Sequence, residues 1–374
     1  MRVVVAMSGG VDSSVAAARL VAEGHDVIGV TLHLWDYPDD SEVHGRCCAP
    51  EDVHDARRVS DVLGIPHYAF DRRELFQRVV VEPFVNGYLE GKTPSPCVHC
   101  NRGVKMQELL GLAETFAADA VATGHYARIL REHGTPQLHR ALDTSKDQSY
   151  FLHMLGPSVL ARLTFPLGAA TKAEVRAEAQ RLGLPGAGKG ESQELCFVAS
   201  GRYDEFVAER ADGRVRPGPI LDGGGRVVGQ HAGVHGFTVG QRKNLGVALG
   251  KRAYVVDVDA VSGAVTLGDR EELLAADALV EDVSLDPDVE LPLACEVAVR
   301  YRGKPVPAAV EWAAVEWAAV EWAAETRAAP RRARVRLKEA LPAIVPGQFA
   351  VFYQGDRVLG GGAICASERA RGET

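Results

Sequence analysis

From the first residues to Arg128 the chain alternates β-rich runs with helical stretches, and no other feature restricts its fold as much. MRVVVAM reads as a first strand, Gly9 and Gly10 follow, and SSVAAARLVAEG reads as a helix that ends at Gly24. HDVIGVTLHLW is a second strand, EDVHDARRVSDVLG a helix, IPHYAFD a third strand, MQELLGLAETFAA a helix and ADAVATGHYAR a fourth strand. Strands separated by helices pair in parallel, and helices then cover both faces of the sheet. The N-terminal part is expected to be α/β, a doubly wound parallel sheet.

The texture changes near residue 200. RPGPILDGGGRVVGQHAGVHGFTVGQRKNLG is rich in glycine and proline, and from about residue 273 short β-branched runs recur: ALVEDVSL, LACEVAVRY, RARVRLKEA and QFAVFYQGDRVLGGGAI. A length of 374 residues allows two or three domains. The expected division is 1–205 for the α/β part, 206–272 for a small, mostly-β central domain and 273–374 for a C-terminal β-barrel-like domain. VEWAA occurs three times in a row from Val310 to Ala324. In a helix each copy would advance about 140°, so the repeat builds no continuous apolar face. It reads as an insertion between two strands, or else as an aromatic platform for a partner.

SGGVDSS, residues 8–14, falls between the first strand and the first helix. Glycines let backbone N–H groups approach an anion, and the helix N-terminus adds partial positive charge. Ser8, Ser13 and Ser14 add hydroxyl donors, and Asp12 suits a magnesium ion carried by a phosphate chain. The slot is the C-terminal edge of a parallel sheet, where such folds bind ligands. Gly91-Lys92-Thr93 looks like the end of a Walker A loop, but its first glycine would fall at Asn86 and no strand leads in.

Seven cysteines, an odd number, argue against a framework of structural disulfides. Cys97 and Cys100 stand as C-x-x-C. Asn101 is expected to cap a following helix, with Arg102 and Lys105 in its first turns, an environment that favours a thiolate at Cys100. Cys196 follows the polar stretch GAGKGESQE, which reads as a mobile loop able to deliver or accept sulfur. A zinc site would need four ligands, and no second C-x-x-C exists. An iron–sulfur site at Cys97, Cys100 and Cys196 stays open as a rival. Cys47, Cys48, Cys295 and Cys365 carry no partner pattern and read as packing residues.

S-G-G-x-D-S after a first strand resembles the loop of the PP-loop (adenine nucleotide alpha hydrolase-like) ATP pyrophosphatases. TPSPCVHCN, TGHY, KDQSYFL and ESQELCF, in that order, resemble the tRNA-specific 2-thiouridylase family in particular. So do DGGGRVVGQHAG, FTVGQRKNLG, RYRGK and PGQFAVFY, and the likeness spans nearly the whole chain apart from the repeat. The resemblance implies ATP at Ala6, Met7, Ser8, Gly9, Gly10, Val11, Asp12 and Ser13, with Leu32 and Gly124 also lining the nucleotide, and Mg2+ with ATP near Asp12. It implies Cys100 as nucleophile, Cys196 as persulfide carrier that pairs transiently with Cys100 in a disulfide, and Cys97 as an auxiliary. Ser95, Pro96 and Cys97 would meet the target base. Lys146, Asp147, Gln148, Arg300 and Tyr301 would touch tRNA. The substrate would be the wobble uridine of Lys, Glu and Gln tRNAs, and a cysteine desulfurase or sulfur-relay protein would supply the persulfide. Two positions depart from the pattern: the family often has Asn at Ser95, and some members have Asp at Cys97.

The formal net charge is −8, so a polyanionic partner must meet local basic patches. Arg128 and Arg131, Arg242-Lys243, Lys251-Arg252, Arg300 to Lys304 and Arg331 to Lys338 supply them. No apolar run reaches the roughly 18–20 residues of a membrane span, and a cytoplasmic protein is expected. Three rivals remain: a PP-loop ligase of small molecules, which would not need the cysteines; an iron–sulfur-dependent thiolase of the same or another nucleoside; and an RNA-binding protein without turnover, which would survive loss of Asp12.

Overall fold

The computed structural model describes residues 1–37, 50–132, 134–188, 195–198, 201–313 and 331–369. Cys47, Cys48 and the second and third VEWAA copies lie outside them. The chain divides into two compact units.

The first unit takes residues 1–82, 96–203 and 356–358. Its strands are β1 (Arg2–Ala6), β2 (Asp26–His33), β3 (His67–Asp71), β4 (Ala120–Ala122), β5 (Ala127–Glu132), β6 (Thr135–Arg140) and β7 (Leu163–Thr164). Five form a parallel sheet in the order β3-β2-β1-β4-β7. The order reverses between β1 and β4, so a crevice opens where the chain leaves these two strands. Val3, Val4 and Val5 are fully buried, and alternation sends them to both faces. Each such valine contributes about 2 kcal/mol of burial.

Helix α1 (Val11–Ala22) presents Val15, Ala16, Ala17 and Leu20 to the core. Its small residues allow close packing against β1, α2 (Pro50–Leu63) and the helix Lys172–Arg181, which Arg19 ties in through Glu178 at 2.7 Å. The expected fourth strand is two strands. β4 stops at Ala122, and after Thr123-Gly124-His125 the chain turns into β5, which pairs with β6 as an antiparallel hairpin. Gly168 permits this turn: a Cβ there would lie 1.9 Å from the Ala127 carbonyl oxygen.

Two long helices contain π turns. One runs Arg73–Phe76, Gln77–Val81 and Glu82–Leu89, and the sequence reading missed it. Pro83 lacks an N–H and would crowd the carbonyl of Val79, and the wider turn lies at that carbonyl. The other runs Pro96–Cys100, Asn101–Lys105 and Met106–Thr115.

The second unit takes residues 83–95, 204–355 and 359–374. The helix Tyr203–Glu209 crosses the first expected domain boundary. Strands Gly218–Leu221, Val227–His231, Tyr254–Asp259 and Ala264–Gly268 form one sheet around Ile220, Val255 and Val265. Six more strands, Leu274–Leu285, Leu293–Ala298, Val306–Trp312, Ala333–Pro342, Phe349–Gln354 and Arg357–Arg369, belong to a second, which β6 joins through the pair His139 and Arg357. In it the first strand pairs with the last, which closes a barrel over Val297, Val310, Val335 and Phe352. The first VEWAA copy belongs to this barrel: Val310 is core, and Trp312 pairs with Ala333 at the open end of a hairpin. Burial pushes the Cys295 thiol up to about 12 and raises that of Cys365, as suits packing residues.

Candidate active site

The chain leaves β1 at Ala6 and enters α1 at Val11, so Met7 to Gly10 cross the sheet's C-terminal edge. Gly9 has φ +72°, and a Cβ there would lie 2.4 Å from the Asp52 carbonyl oxygen. Only glycine meets both demands. Gly10 is the N-cap and supplies no side-chain acceptor, so the first N–H groups of α1 keep no intrahelical partner. Ser13 Oγ donates to the Gly10 carbonyl at 2.9 Å and accepts from Ser8 N at 3.2 Å, which folds the loop over the helix end.

Asp12 stands in the first turn of α1. Lys172 Nζ donates to both its carboxylate oxygens at 2.7 Å, and Tyr126 Oη donates to Oδ1 at 2.8 Å. Lys172 is the first residue of its helix. Thr171 and Glu174 form a capping box there, and Lys172 N donates to Asp143 Oδ2 at 3.0 Å. Asp143 is held below the usual carboxylate range by hydrogen bonds from Ser145 and Lys172. One carboxylate fits a magnesium ion whose other ligands are phosphate and water. At Asp12 that ion would share the carboxylate with Lys172 or take its place.

Opposite the loop, Gly124 lies flush against α1: a Cβ would come within 2.8 Å of Ser13 N. Ala6, Met7, Ser8, Asp12, Ser13, Leu32 and Gly124, seven of the ten nucleotide residues expected from the sequence, line one cleft. Gly9 and Gly10 shape the loop, and Val11 packs into the core. Val30, Leu34, Lys105, Leu109, Thr123, His125 and Gln148 complete the lining. His125 accepts or donates at Nδ1 with Thr123 Oγ1 at 2.7 Å, and its ring meets Phe165 edge-on at 6.0 Å. Burial pushes this imidazole down to about 3, with the Lys105 charge adding to the effect, so it is neutral at pH 7.

Gln148, read from the sequence as a tRNA contact, also straps Tyr126: Oε1 accepts from Tyr126 N at 2.9 Å, and Gln148 N donates to Tyr126 O at 2.8 Å. The Asp147 carboxylate accepts from Ala141 N at 3.0 Å, Ser149 N at 3.1 Å and Ser149 Oγ at 2.9 Å. It organises its own loop, beside Lys146, whose N donates to Asp143 O at 3.0 Å.

Cys100 is buried and Cys97 exposed. Asn101 caps nothing. It lies inside a continuous helix that begins at Pro96, with its Oδ1 buried and unpartnered. The same helix carries Lys105 and Leu109 into this cleft. Cys196 is half-buried, and its neighbours Phe197 and Val198 are 2% exposed; the expected mobile stretch before it lies mostly outside the described residues. No disulfide forms among the described cysteines. Among the described residues no three His, Cys, Asp or Glu side chains converge where a metal ion could bind.

Residues 1–200 match the family described as tRNA methyl transferase HUP domain, residues 204–269 a tRNA methyl transferase PRC-barrel domain, and residues 318–364 an aminomethyltransferase beta-barrel domain. A tRNA-specific 2-thiouridylase MnmA of Sorangium cellulosum is 59% identical over 370 residues, which cover 99% of this chain and 94% of the relative. One of Geobacter metallireducens is 47% identical over 98% of this chain and 97% of its own, and one of Moorella thermoacetica 46% over 96% and 98%. The chain belongs to the tRNA-specific 2-thiouridylase family.

In this member of the thiouridylase family the parallel-sheet HUP domain, an ATP-using domain, carries this cleft and all three cysteines of interest. Ser95 is buried just before the Cys100 helix, and Pro96 opens that helix. Arg300 and Tyr301 lie in the second unit, in a turn closed by Gly303 N on Arg300 O at 3.0 Å, with Arg302 over the Tyr301 ring at 5.3 Å. Sequence reasoning missed Lys172, which pairs with Asp12, and His125, which lines the same cleft. The TGHY motif pointed to His125, and nothing local pointed to Lys172. No helix among the described residues is long and apolar enough to cross a membrane.

Proposed function

We propose that this chain, a sulfurtransferase of the thiouridylase family, converts the wobble uridine of Lys, Glu and Gln tRNAs to 2-thiouridine at the expense of ATP. One observation carries the reading: the helix that bears Cys100 also supplies Lys105 and Leu109 to the nucleotide cleft. A thiol and an activated phosphorus are thereby served by one rigid element.

The uracil C2 oxygen is a poor leaving group. It attacks the α-phosphorus of ATP and expels pyrophosphate, and the α1 N-terminus and loop N–H groups receive the developing charge. Magnesium, with Asp12 as its protein ligand, would neutralise the pyrophosphate. A persulfide on Cys196 then supplies sulfur to C2, AMP departs, and Cys100 takes Sγ of Cys196 into a disulfide that an external thiol reduces. In the other order Cys100 first frees hydrosulfide from the persulfide, and hydrosulfide attacks C2. A cysteine desulfurase or relay protein reloads Cys196. Ser95, Pro96 and Cys97 meet the base, and Lys146, Arg300 and Tyr301 meet the tRNA. Asp147 and Gln148 act on tRNA through the loop they hold together. The parts 1–205, 206–272 and 273–374 divide the labour between chemistry and tRNA positioning.

The test is an in vitro reaction with tRNA, ATP, magnesium and a persulfide donor, followed by nucleoside digestion and mass spectrometry. Wild type is expected to form 2-thiouridine in air, and Cys100→Ser and Cys196→Ser none. Cleavage of ATP without any thionucleoside would sink the assignment and favour another substrate for the same loop.

A further inference from the structure

Cys196 is fixed by its neighbour. The Phe197 ring lies 6.1 Å from Trp35 and 5.7 Å from Phe76, and Trp35 lies 6.3 Å from Phe76. All three contacts are edge-to-face, with planes 61–71° apart. Edge-to-face rings fix orientation as well as burial. Phe76 is fully buried and Phe197 is 2% exposed. Tyr37 Oη donates to the Cys196 carbonyl as a second tie.

Each ring belongs to a different part of the chemistry. Trp35 follows Leu32 and Leu34, which line the nucleotide cleft. Phe76 immediately precedes the π turn Gln77–Val81, and Val79 of that turn meets Gly103, three residues beyond Cys100: a Cβ at Gly103 would lie 2.8 Å from Val79 Cγ1. Phe197 directly follows Cys196. We infer that Trp35, Phe76 and Phe197 form an aromatic seat that sets the position of Cys196 against the Cys100 helix and the nucleotide cleft, with Phe197 as a positioning residue for sulfur transfer. This rests on the reading of Cys100 and Cys196 as the working thiols. A ring that served packing alone would lower stability without selecting the thiol–thiol encounter. A ring that seats Cys196 governs the encounter itself, because an ångström-scale displacement is enough to slow a reaction between fixed groups.

The experiment uses full-length enzyme and the variants Phe197→Leu, Phe76→Leu and the double variant. Diamide accepts the two electrons and two protons of the thiol pair, and the Cys100–Cys196 disulfide is followed by peptide mass spectrometry beside ATP affinity and thiolation kcat. Phe197→Leu is expected to slow disulfide formation and kcat by about tenfold, with ATP affinity kept within about twofold. The double variant is expected to be no slower than either single one, since both remove the same seat. Wild-type disulfide rates in Phe197→Leu overturn the inference and leave the two-thiol reading intact. Absence of the disulfide in wild type together with activity of Cys196→Ser overturns both. If Phe197→Leu fails to fold, Trp35→Phe keeps an apolar ring but shifts its edge, and it is expected to slow the disulfide about threefold. A wild-type rate in that variant overturns the seat.

Discussion

Lys172 Nζ lies 2.7 Å from both carboxylate oxygens of Asp12, so the one acidic side chain of the SGGVDSS segment is neutralised by a lysine from 160 residues away. Lys172 is 8% exposed, and the Asp12 side chain is 33% exposed. An unpaired carboxylate at that place would repel the triphosphate. Lys172→Met is therefore expected to cost about 2 kcal/mol of stability, less than a fully buried pair because Asp12 reaches solvent. It is also expected to raise the KM for ATP by about tenfold. Adding Asp12→Asn to Lys172→Met removes the orphan charge and is expected to recover stability. Urea titration and ATP calorimetry on the single and double variants measure this, and additive losses would disprove it.

Gly124→Ala tests the opposite wall. The new methyl would meet Ser13 N at 2.8 Å and Asp12 C at 2.9 Å, both backbone atoms that cannot swing aside. Overpacking of this kind costs about 1–3 kcal/mol. ATP binding is expected to vanish in calorimetry while circular dichroism stays native. Retained ATP affinity would mean that the wall can retreat from α1.

Protonation should weaken the fold. Burial holds His125 down to about 3 and His153 down to about 4, against 6.5 for an ordinary imidazole. His67, His231 and His235 are also lowered, chiefly by burial. The unfolded chain therefore binds more protons than the folded one below 6.5. The contribution of these histidines is complete above that value and is lost progressively as the pH falls towards the folded values. Thermal melts from pH 8 to pH 5 are expected to show a decline that begins near 6.5. His153→Gln should flatten part of that decline, and an unchanged slope would remove His153 from the account.

The exposed and buried cysteines should part company. Cys97→Ser is expected to keep thiolation within about threefold, since its side chain faces solvent. Cys100→Ser is expected to abolish it. Equal loss in both, rescued by iron without oxygen, would favour the iron–sulfur reading.

The legible parts of the fold were local in sequence. MRVVVAMSGGVDSS carries its strand, turn and helix start within fourteen consecutive residues, and the C-terminal strands announce themselves by alternation. The partners across the site were not local. A parallel sheet gathers strand ends irrespective of chain distance, so Lys172 arrives beside Asp12 with no nearby mark. β4 has only three residues, too short for its period to separate it from β5. The π turns bring Gly103 against Val79, a contact that a propensity reading of Asn101 as a cap does not contain. GAGKGESQE reads as mobile because polar residues and glycines dominate it, and residues 189–194 of it lie outside the described residues; three residues after it, Phe197 is 2% exposed.

The barrel hairpin closes at the pair Trp312 and Ala333, and Val310 of the first VEWAA copy already lies in the barrel interior. Pairing on the barrel side of that point does not depend on how many residues join its two ends, and doubling a loop costs only about 0.6 kcal/mol in closure entropy. The gene can therefore lose or duplicate a fifteen-nucleotide unit by replication slippage within this stretch and still encode the same barrel. The first copy is the constrained one among the described residues, because its Val310 fills the barrel core.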